Sequence, residues 1–273
     1  MIIRSLALTT ELALAATRGS TLDRGDYLVI ATPDDPGYAY GNLLVLPAPP
    51  QVGEVAYWTR KFEAELSKPS IRHVTLWWDG TTGELGAELE LTAAGFMLEL
   101  TMVMTATRIT ASAASLPIRE LQPAELELTH ALAWAIGDRH DENYREFLLR
   151  RAHWQQVLVE RGLAKFFGAF DGSELVASLG LVPMKHLARY QDVQTAPEYR
   201  KRGLAGALLA TAAAALPSER YVIMAAPGGD AERVYRRVGF ALAERTASAC
   251  RYPLAPQTGP VGHRELAVLD SDR

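Results

Sequence analysis

Val193-Gln194-Thr195-Ala196-Pro197-Glu198-Tyr199-Arg200-Lys201-Arg202-Gly203-Leu204-Ala205-Gly206 reads as the end of a strand, a basic turn and the first turn of a helix. A strand that runs through such a turn into a helix builds an anion site. The first N–H groups of a helix have no intrahelical acceptor and point outward, the dipole favours negative charge there, and a glycine lets a ligand approach the backbone closely. Gly203 stands at that place, and Arg200, Lys201 and Arg202 add positive charge. An exposed basic turn with a glycine at a helix start is the structural alternative.

The helix that follows, residues 203–216, is apolar on nearly all faces, which predicts a buried helix that holds the turn rigid. Upstream, a strand near Ile118 precedes helices at 124–136 and 143–161. Three strands then form an antiparallel block, 164–170, 175–183 and 188–195, with Asp171-Gly172 supplying the hairpin turn between the first two. Downstream come a strand at 221–226, a helix at 230–238 and strands from Phe240 to Tyr252.

The first half is also α/β material: strands at 26–32, 41–46 and 72–78, a helix at 54–67, a short helical segment to Ala94, a Gly95 stop and a long strand at 96–109. Residues 110–116, rich in Ala and Ser, read as a linker. Leu91-Thr92-Ala93-Ala94-Gly95-Phe96 keeps the register of Tyr235-Arg236-Arg237-Val238-Gly239-Phe240, and each stretch lies between apolar strands. A glycine stop with an aromatic restart is a common helix ending, but the shared order of elements points to duplication.

A chain of 273 residues that is 48% hydrophobic suits two domains. The 28 Lys plus Arg against 32 Asp plus Glu, a net charge of -4, argue against an all-over affinity for nucleic acid or anionic membrane. Cys250 has no partner for an internal disulfide, and no Cys/His spacing resembles a zinc site, so a reducing cytoplasm and no metal are expected. Glu11 interrupts the apolar start before it becomes a signal-peptide core. The most apolar internal run, 203–216, falls short of the ~20 residues that span a membrane. A cytoplasmic protein without nucleic-acid or membrane partners follows as the expectation.

Arg200-x-x-Gly203-x-Ala205, preceded by Pro197 and a strand, resembles the pyrophosphate-binding motif R/Q-x-x-G-x-G/A of the GNAT N-acetyltransferase family. The element order from Ile118 to Tyr252 is similar to that family's, and Tyr235-x-x-x-Gly239-Phe240 resembles its Y-x-x-x-G-F signature. The resemblance covers about half of the chain, and two motifs at the proper separation are more specific than either alone.

What the resemblance implies is an α/β (α+β) fold of two GNAT-like domains, each a mixed, mostly antiparallel central sheet flanked by helices. Residues 1–113 would be a degenerate domain without the coenzyme motif, 114–255 the acetyltransferase domain and 256–273 a C-terminal tail. The implied chemistry is direct attack of an amine on the thioester carbonyl of acetyl-CoA. The turn from Arg200 through Lys201, Arg202, Gly203, Leu204, Ala205 and Gly206 would hold the pyrophosphate. The strand at Val193, Gln194 and Thr195 would bind the coenzyme, with the backbone of Val193 and Thr195 pairing with the pantetheine arm. A backbone N–H there would polarise the thioester oxygen.

Tyr235 is implied as the general acid for the departing thiolate, since a phenol near ~10 stays protonated where a thiol near ~8.5 leaves. The alternative is a tyrosine packing its ring on the sheet. The family often has Asn seven residues before this tyrosine, where Gly228 stands here. No motif specifies the base: Asp192 is one candidate, with His186, His140, Asp141 and Glu142, and for each a solvated surface role is the commoner use. The charged stretch 137–142 between the two helices would give an acidic rim suited to a cationic amine, or is a polar loop without that purpose. Trp134 and Trp154 read as core or cleft wall.

In the first half Leu91 stands where Tyr235 would, and the turn Pro47-Ala48-Pro49-Pro50-Gln51-Val52-Gly53-Glu54 has no such motif, with Glu54 set to repel a pyrophosphate. This half is similar to the inactive partner in tandem GNAT proteins, where it would pack on the active half and shape the acceptor cleft. Tyr38, Tyr40, Trp77 and Trp78 would line that cleft or, more commonly, pack in a core. The acceptor is expected to be a small-molecule or peptide amine. A noncatalytic acyl-CoA-binding module, or transfer from a longer acyl-CoA, remains an alternative. A homodimer is also open, since the tail after Leu254 could reach a second copy.

Overall fold

Two helices in this protein end in the same way. After α3 (Glu88–Ala93) the Phe96 N–H donates to the Leu91 carbonyl at 3.0 Å and Gly95 to Thr92 at 3.0 Å. After α7 (Asp230–Arg237) the Phe240 N–H donates to the Tyr235 carbonyl at 3.0 Å and Gly239 to Arg236 at 3.2 Å. These paired bonds form the Schellman ending, in which a left-handed glycine lets the chain reverse while two orphan carbonyls gain donors. Gly95 has φ +82 and Gly239 φ +111. The repeat seen in the sequence is therefore a repeat of backbone geometry.

The computed structural model describes residues 1–66, 68, 70–110 and 113–252. The expected tail, 256–273, and residues 111 and 112 of the expected linker lie outside them. The chain forms two compact units, Met1–Val103 joined by the chain from Glu244, and Met104–Ala243.

In the first unit, α1 (Leu6–Ala15) starts at Ser5, whose hydroxyl accepts from the Leu8 N–H. The strands β1 (Ser20–Asp23), β2 (Leu28–Ala31) and β3 (Leu43–Leu46) pair antiparallel in turn. β4 (Val74–Trp78) pairs parallel with β3 after a crossover through α2 (Val55–Leu66). After α3 comes β5 (Met97–Ala106). The core gathers Leu44, Leu46, Phe62, Leu76, Trp78, Leu91 and Phe96 from these elements. Trp77, Trp78 and Tyr40 are buried, and Tyr38 is half-buried with the Arg18 guanidinium 4.4 Å above its ring.

The last strand in sequence, β11 (Ala241–Arg251), pairs antiparallel with β4, from Ser248 opposite Trp77 to Arg251 opposite Val74. The units are thus not consecutive. A division near residue 113 keeps 114–255 together, whereas the outer part of β11 belongs to the first unit because its backbone groups pair with β4. That partner lies about 170 residues away and no local pattern encodes it.

The second unit runs β6 (Ile118–Glu120), α4 (Leu126–Ile136), α5 (Glu142–Glu160), β7 (Lys165–Asp171), β8 (Glu174–Met184), β9 (Leu187–Thr195), α6 (Leu204–Ala215), β10 (Arg220–Ala225) and α7. β6, β7, β8 and β9 are antiparallel neighbours, and β9 pairs parallel with β10. Gly172, at φ +59, starts the two-residue turn between β7 and β8. α7 carries Asp230 and Glu232 in its first turn and Arg236 and Arg237 in its last, which suits the helix dipole. α6 buries Leu204, Leu208, Leu209 and Ala212, while Ala214 and Ala215 are exposed. Its apolar run is therefore buried on one side rather than all round, because alanine favours helix at little cost in water. Each unit is a mixed, mostly antiparallel sheet flanked by helices, as expected. Among the described residues no helix is long and apolar enough to cross a membrane.

Candidate active site

The site begins where two strands part. β9 and β10 pair only over Leu187–Arg189 and Arg220–Val222, although β9 continues to Thr195 and β10 to Ala225. Past Arg189 their facing edges have no ladder between them, which leaves backbone groups of β9 open to an extended ligand. On its other side β9 is bulged. Gln191 lies opposite Gly180 and Gln194 opposite Ser178, so Asp192 and Val193 together face Leu179 alone. Asp192 adopts φ +49, a left-handed conformation that costs a non-glycine residue about 1–2 kcal/mol.

Beyond Thr195 a 3-10 turn (Pro197–Tyr199) leads to Arg200, then Lys201 at φ +61, and then Gly203 at φ +78 as the N-cap of α6. The Ala207 N–H donates to the Gly203 carbonyl at 3.0 Å, so the N–H groups of Leu204, Ala205 and Gly206 precede the first intrahelical bond. Lys201, Arg202 and Gly203 are exposed. Among the described residues none of Arg200, Lys201 and Arg202 pairs with a carboxylate. Arg200 Nε makes only a long contact, 3.4 Å, to the Thr195 carbonyl, and the Arg202 guanidinium lies 4.8 Å over the Tyr199 ring. Three uncompensated cations and a row of outward amides surround one turn, which is what an anion needs.

Tyr235 lies on α7. Its ring is 3% exposed and lies 6.0 Å from that of Phe240, and burial pushes the phenol well above its ordinary range. Among the described residues its hydroxyl shows no hydrogen bond, and burial keeps its proton on at neutral pH. At Gly228 the N–H donates to Glu232 Oε2 at 2.8 Å and the carbonyl accepts from Arg233 at 3.3 Å. The residue standing in for the family's asparagine is thus tied down by α7's own side chains.

The base candidates separate. Asp192 Oδ2 accepts from Gln155 Nε2 at 2.6 Å, and its Oδ1 lies 3.4 Å from Arg151 Nη1, so both oxygens are engaged. His186 sits in the exposed β8–β9 turn against Glu219. Asp141 caps α5 by accepting from the Tyr144 N–H at 3.0 Å and holds Arg139 as well, which offsets the acidic rim expected there. His140 packs edge-on to Trp134 at 4.9 Å, Trp134 stacks with Tyr144 at 6.1 Å, and Tyr144 with Phe147 at 6.2 Å. Glu142 is exposed, 3.9 Å from Arg145. Trp134 and Trp154 are half-buried.

Two contributors escaped the sequence. Tyr190 donates its hydroxyl to the Leu209 carbonyl at 2.7 Å and meets Phe240 at 5.9 Å, bolting β9 to α6. Gln155 is a buried amide in mid-α5, and nothing in a helical pattern marks a glutamine for a strand 37 residues away. The only local cue was its inward register. Among the described residues no group of three or more metal-ligating side chains occurs.

Parted strands that feed a cationic turn at a helix N-terminus form a cleft suited to an extended anionic ligand. Residues 126–240 match the acetyltransferase (GNAT) family. That match lies within the second unit and covers less than half of the chain. The fold is similar to that of a functionally unknown conserved protein from Staphylococcus epidermidis (TM-score 0.73, 10% identity, 86% of this chain and 95% of that one). It is also similar to a GCN5-related N-acetyltransferase from Kribbella flavida (TM-score 0.62, 15% identity, 91% and 95%) and one from Sphaerobacter thermophilus (0.52, 15%, 85% and 82%). These likenesses span both units of the chain. None of the curated proteins matches it.

Proposed function

We propose that the chain is an N-acetyltransferase that moves an acetyl group from acetyl-CoA to a primary amine by direct attack. The observation that carries this is the turn from Arg200 to Gly203, whose cations have no carboxylate partner among the described residues and whose amides open at the end of the parted strands. In this assignment Arg200, Lys201 and Arg202, with the amides from Gly203 to Gly206, take the pyrophosphate. Val193, Gln194 and Thr195 lie along the pantetheine. The amine nitrogen forms a bond to the acetyl carbon while the carbon–sulfur bond breaks. Tyr235 gives its proton to the departing sulfur and regains one from solvent, and the amine's proton leaves to water. The first unit carries no equivalent of the cationic turn: Glu54 there accepts from the Gln51 N–H at 2.9 Å as part of a helix start. It serves as the degenerate partner.

Calorimetric titration with acetyl-CoA tests this without knowledge of the acceptor. One saturable site per chain, lost in high salt, is expected. No binding by folded protein rules the donor out, and two sites would make the first unit functional.

A further inference from the structure

A chain of buried polar side chains runs beneath the β9 bulge. Gln194 Nε2 donates to Ser178 Oγ at 2.9 Å and to the Thr129 carbonyl at 3.1 Å. The Thr129 hydroxyl shares its one proton between the Leu126 carbonyl at 2.6 Å and Gln155 Oε1 at 3.0 Å, and Gln155 Nε2 donates to Asp192 Oδ2 at 2.6 Å. Arg151 completes the chain at 3.4 Å from the other Asp192 oxygen. Gln155 and Ser178 are 1% exposed, and Thr129 and Gln194 4%.

A core built for stability alone has no use for such a chain. Each buried amide or hydroxyl gives up its water, and the net gain of its bonds is small, so apolar residues of the same size serve stability as well. What a satisfied network supplies is one fixed arrangement. Its end point here is the one residue of β9 whose backbone is left-handed. Asp tolerates that conformation better than most residues but still prefers others. With Gln155 on one oxygen and Arg151 on the other, both from α5, the side chain is held from the helix while the backbone turns. Relaxation of Asp192 to the extended region would undo the bulge and turn the Val193 peptide, since a change of one residue in register reverses the direction of its backbone groups.

We infer that Gln155, assisted by Arg151, is a positioning residue. It holds Asp192 in the left-handed conformation and thereby aims the Val193 N–H at the acyl carbonyl of a donor lying in the opening between β9 and β10. Asp192 serves as the anchor of the bulge and not as the proton acceptor. This inference rests on the assignment of that opening as the donor site.

The test uses acetyl-CoA labelled with 13C at the acetyl carbonyl, bound to the full chain and followed by NMR. Native protein moves the carbonyl signal toward the polarised, downfield side. Gln155→Leu, checked as folded by circular dichroism, binds with unchanged affinity but leaves the signal at its free position. Gln155→Glu sets a carboxylate against Asp192 and also loses the shift. The double variant Gln155→Glu with Asp192→Asn recovers it, because the asparagine amide now donates to the glutamate. A native shift in folded Gln155→Leu, or a double variant no better than Gln155→Glu alone, overturns the inference. Failure of the native protein to bind labelled acetyl-CoA overturns the donor-site assignment instead, and the two failures are read from different signals.

Discussion

The Phe240 N–H donates to the Tyr235 carbonyl at 3.0 Å, across a glycine whose φ is +111. That bond fixes the end of α7 and with it the place of the Tyr235 ring. A Cβ on Gly239 would lie 2.9 Å from the Arg108 carbonyl oxygen, a backbone atom that cannot step aside, whereas a Cβ on Gly95 would meet only the Arg251 side chain at 3.6 Å. Gly95→Ala should therefore cost about the 1–2 kcal/mol of the left-handed conformation alone. Gly239→Ala should cost clearly more, since the steric overlap adds to it. Urea unfolding midpoints of the two variants compare them, and equal losses would mean that the Arg108 contact relaxes freely.

Tyr235→Phe keeps the buried ring and its packing on Phe240 and removes only the hydroxyl. Stability and donor affinity should stay near native, while turnover on an accepted amine drops by about 10²-fold or more, the usual share of a general acid. Thiol release under saturating donor is the measurement. A native rate would return Tyr235 to a packing role.

Arg200→Glu reverses one of three cations that make no ion pair among the described residues. Hydrogen bonds to charged groups are worth about 1.5–3 kcal/mol, so acetyl-CoA affinity should fall roughly 10- to 100-fold, with a similar loss for the dephospho analogue, which keeps the pyrophosphate, and a smaller loss for pyrophosphate-lacking analogues. Calorimetry at two salt concentrations checks this. Unchanged affinity in a folded variant would remove the turn from the site.

How much of this was legible beforehand depends on the range of the interaction. The turn from Arg200 to Gly203 was readable because its determinants, a strand end, a glycine and a helix start, lie within a dozen residues. The endings at Gly95 and Gly239 were readable for the same reason, and most helices and strands fell within a few residues of expectation. β1 was missed: its four residues, Ser20–Asp23, are all exposed and carry no alternation. The pairing of β11 with β4 and the Gln155–Asp192 tie were not legible, because each joins distant residues whose local patterns are complete without the other. Asp192 looked like a free carboxylate near a cleft, and only the fold shows both of its oxygens occupied.

Glu99 offers a prediction in the first unit. Its carboxylate, on β5, accepts from the Tyr40 hydroxyl at 2.5 Å, and that hydroxyl also lies 3.1 Å from Ser248 Oγ. Burial raises the Glu99 pKa above its usual 4.5, against the smaller opposing effect of the Tyr40 bond, and among the described residues no cation pairs with it. An acid whose pKa is raised on folding contributes stability that is full below its unfolded value and is lost as pH rises through its folded value. Glu99→Gln keeps an oxygen for Tyr40 and cannot ionise. The variant should match the native protein in acid and gain on it progressively as pH rises above about 4.5. Urea midpoints of the pair measured between about pH 4 and 8 supply the test. A difference that stays flat across that range would show that the carboxyl titrates alike in the folded and unfolded chains, so that burial does not raise its pKa.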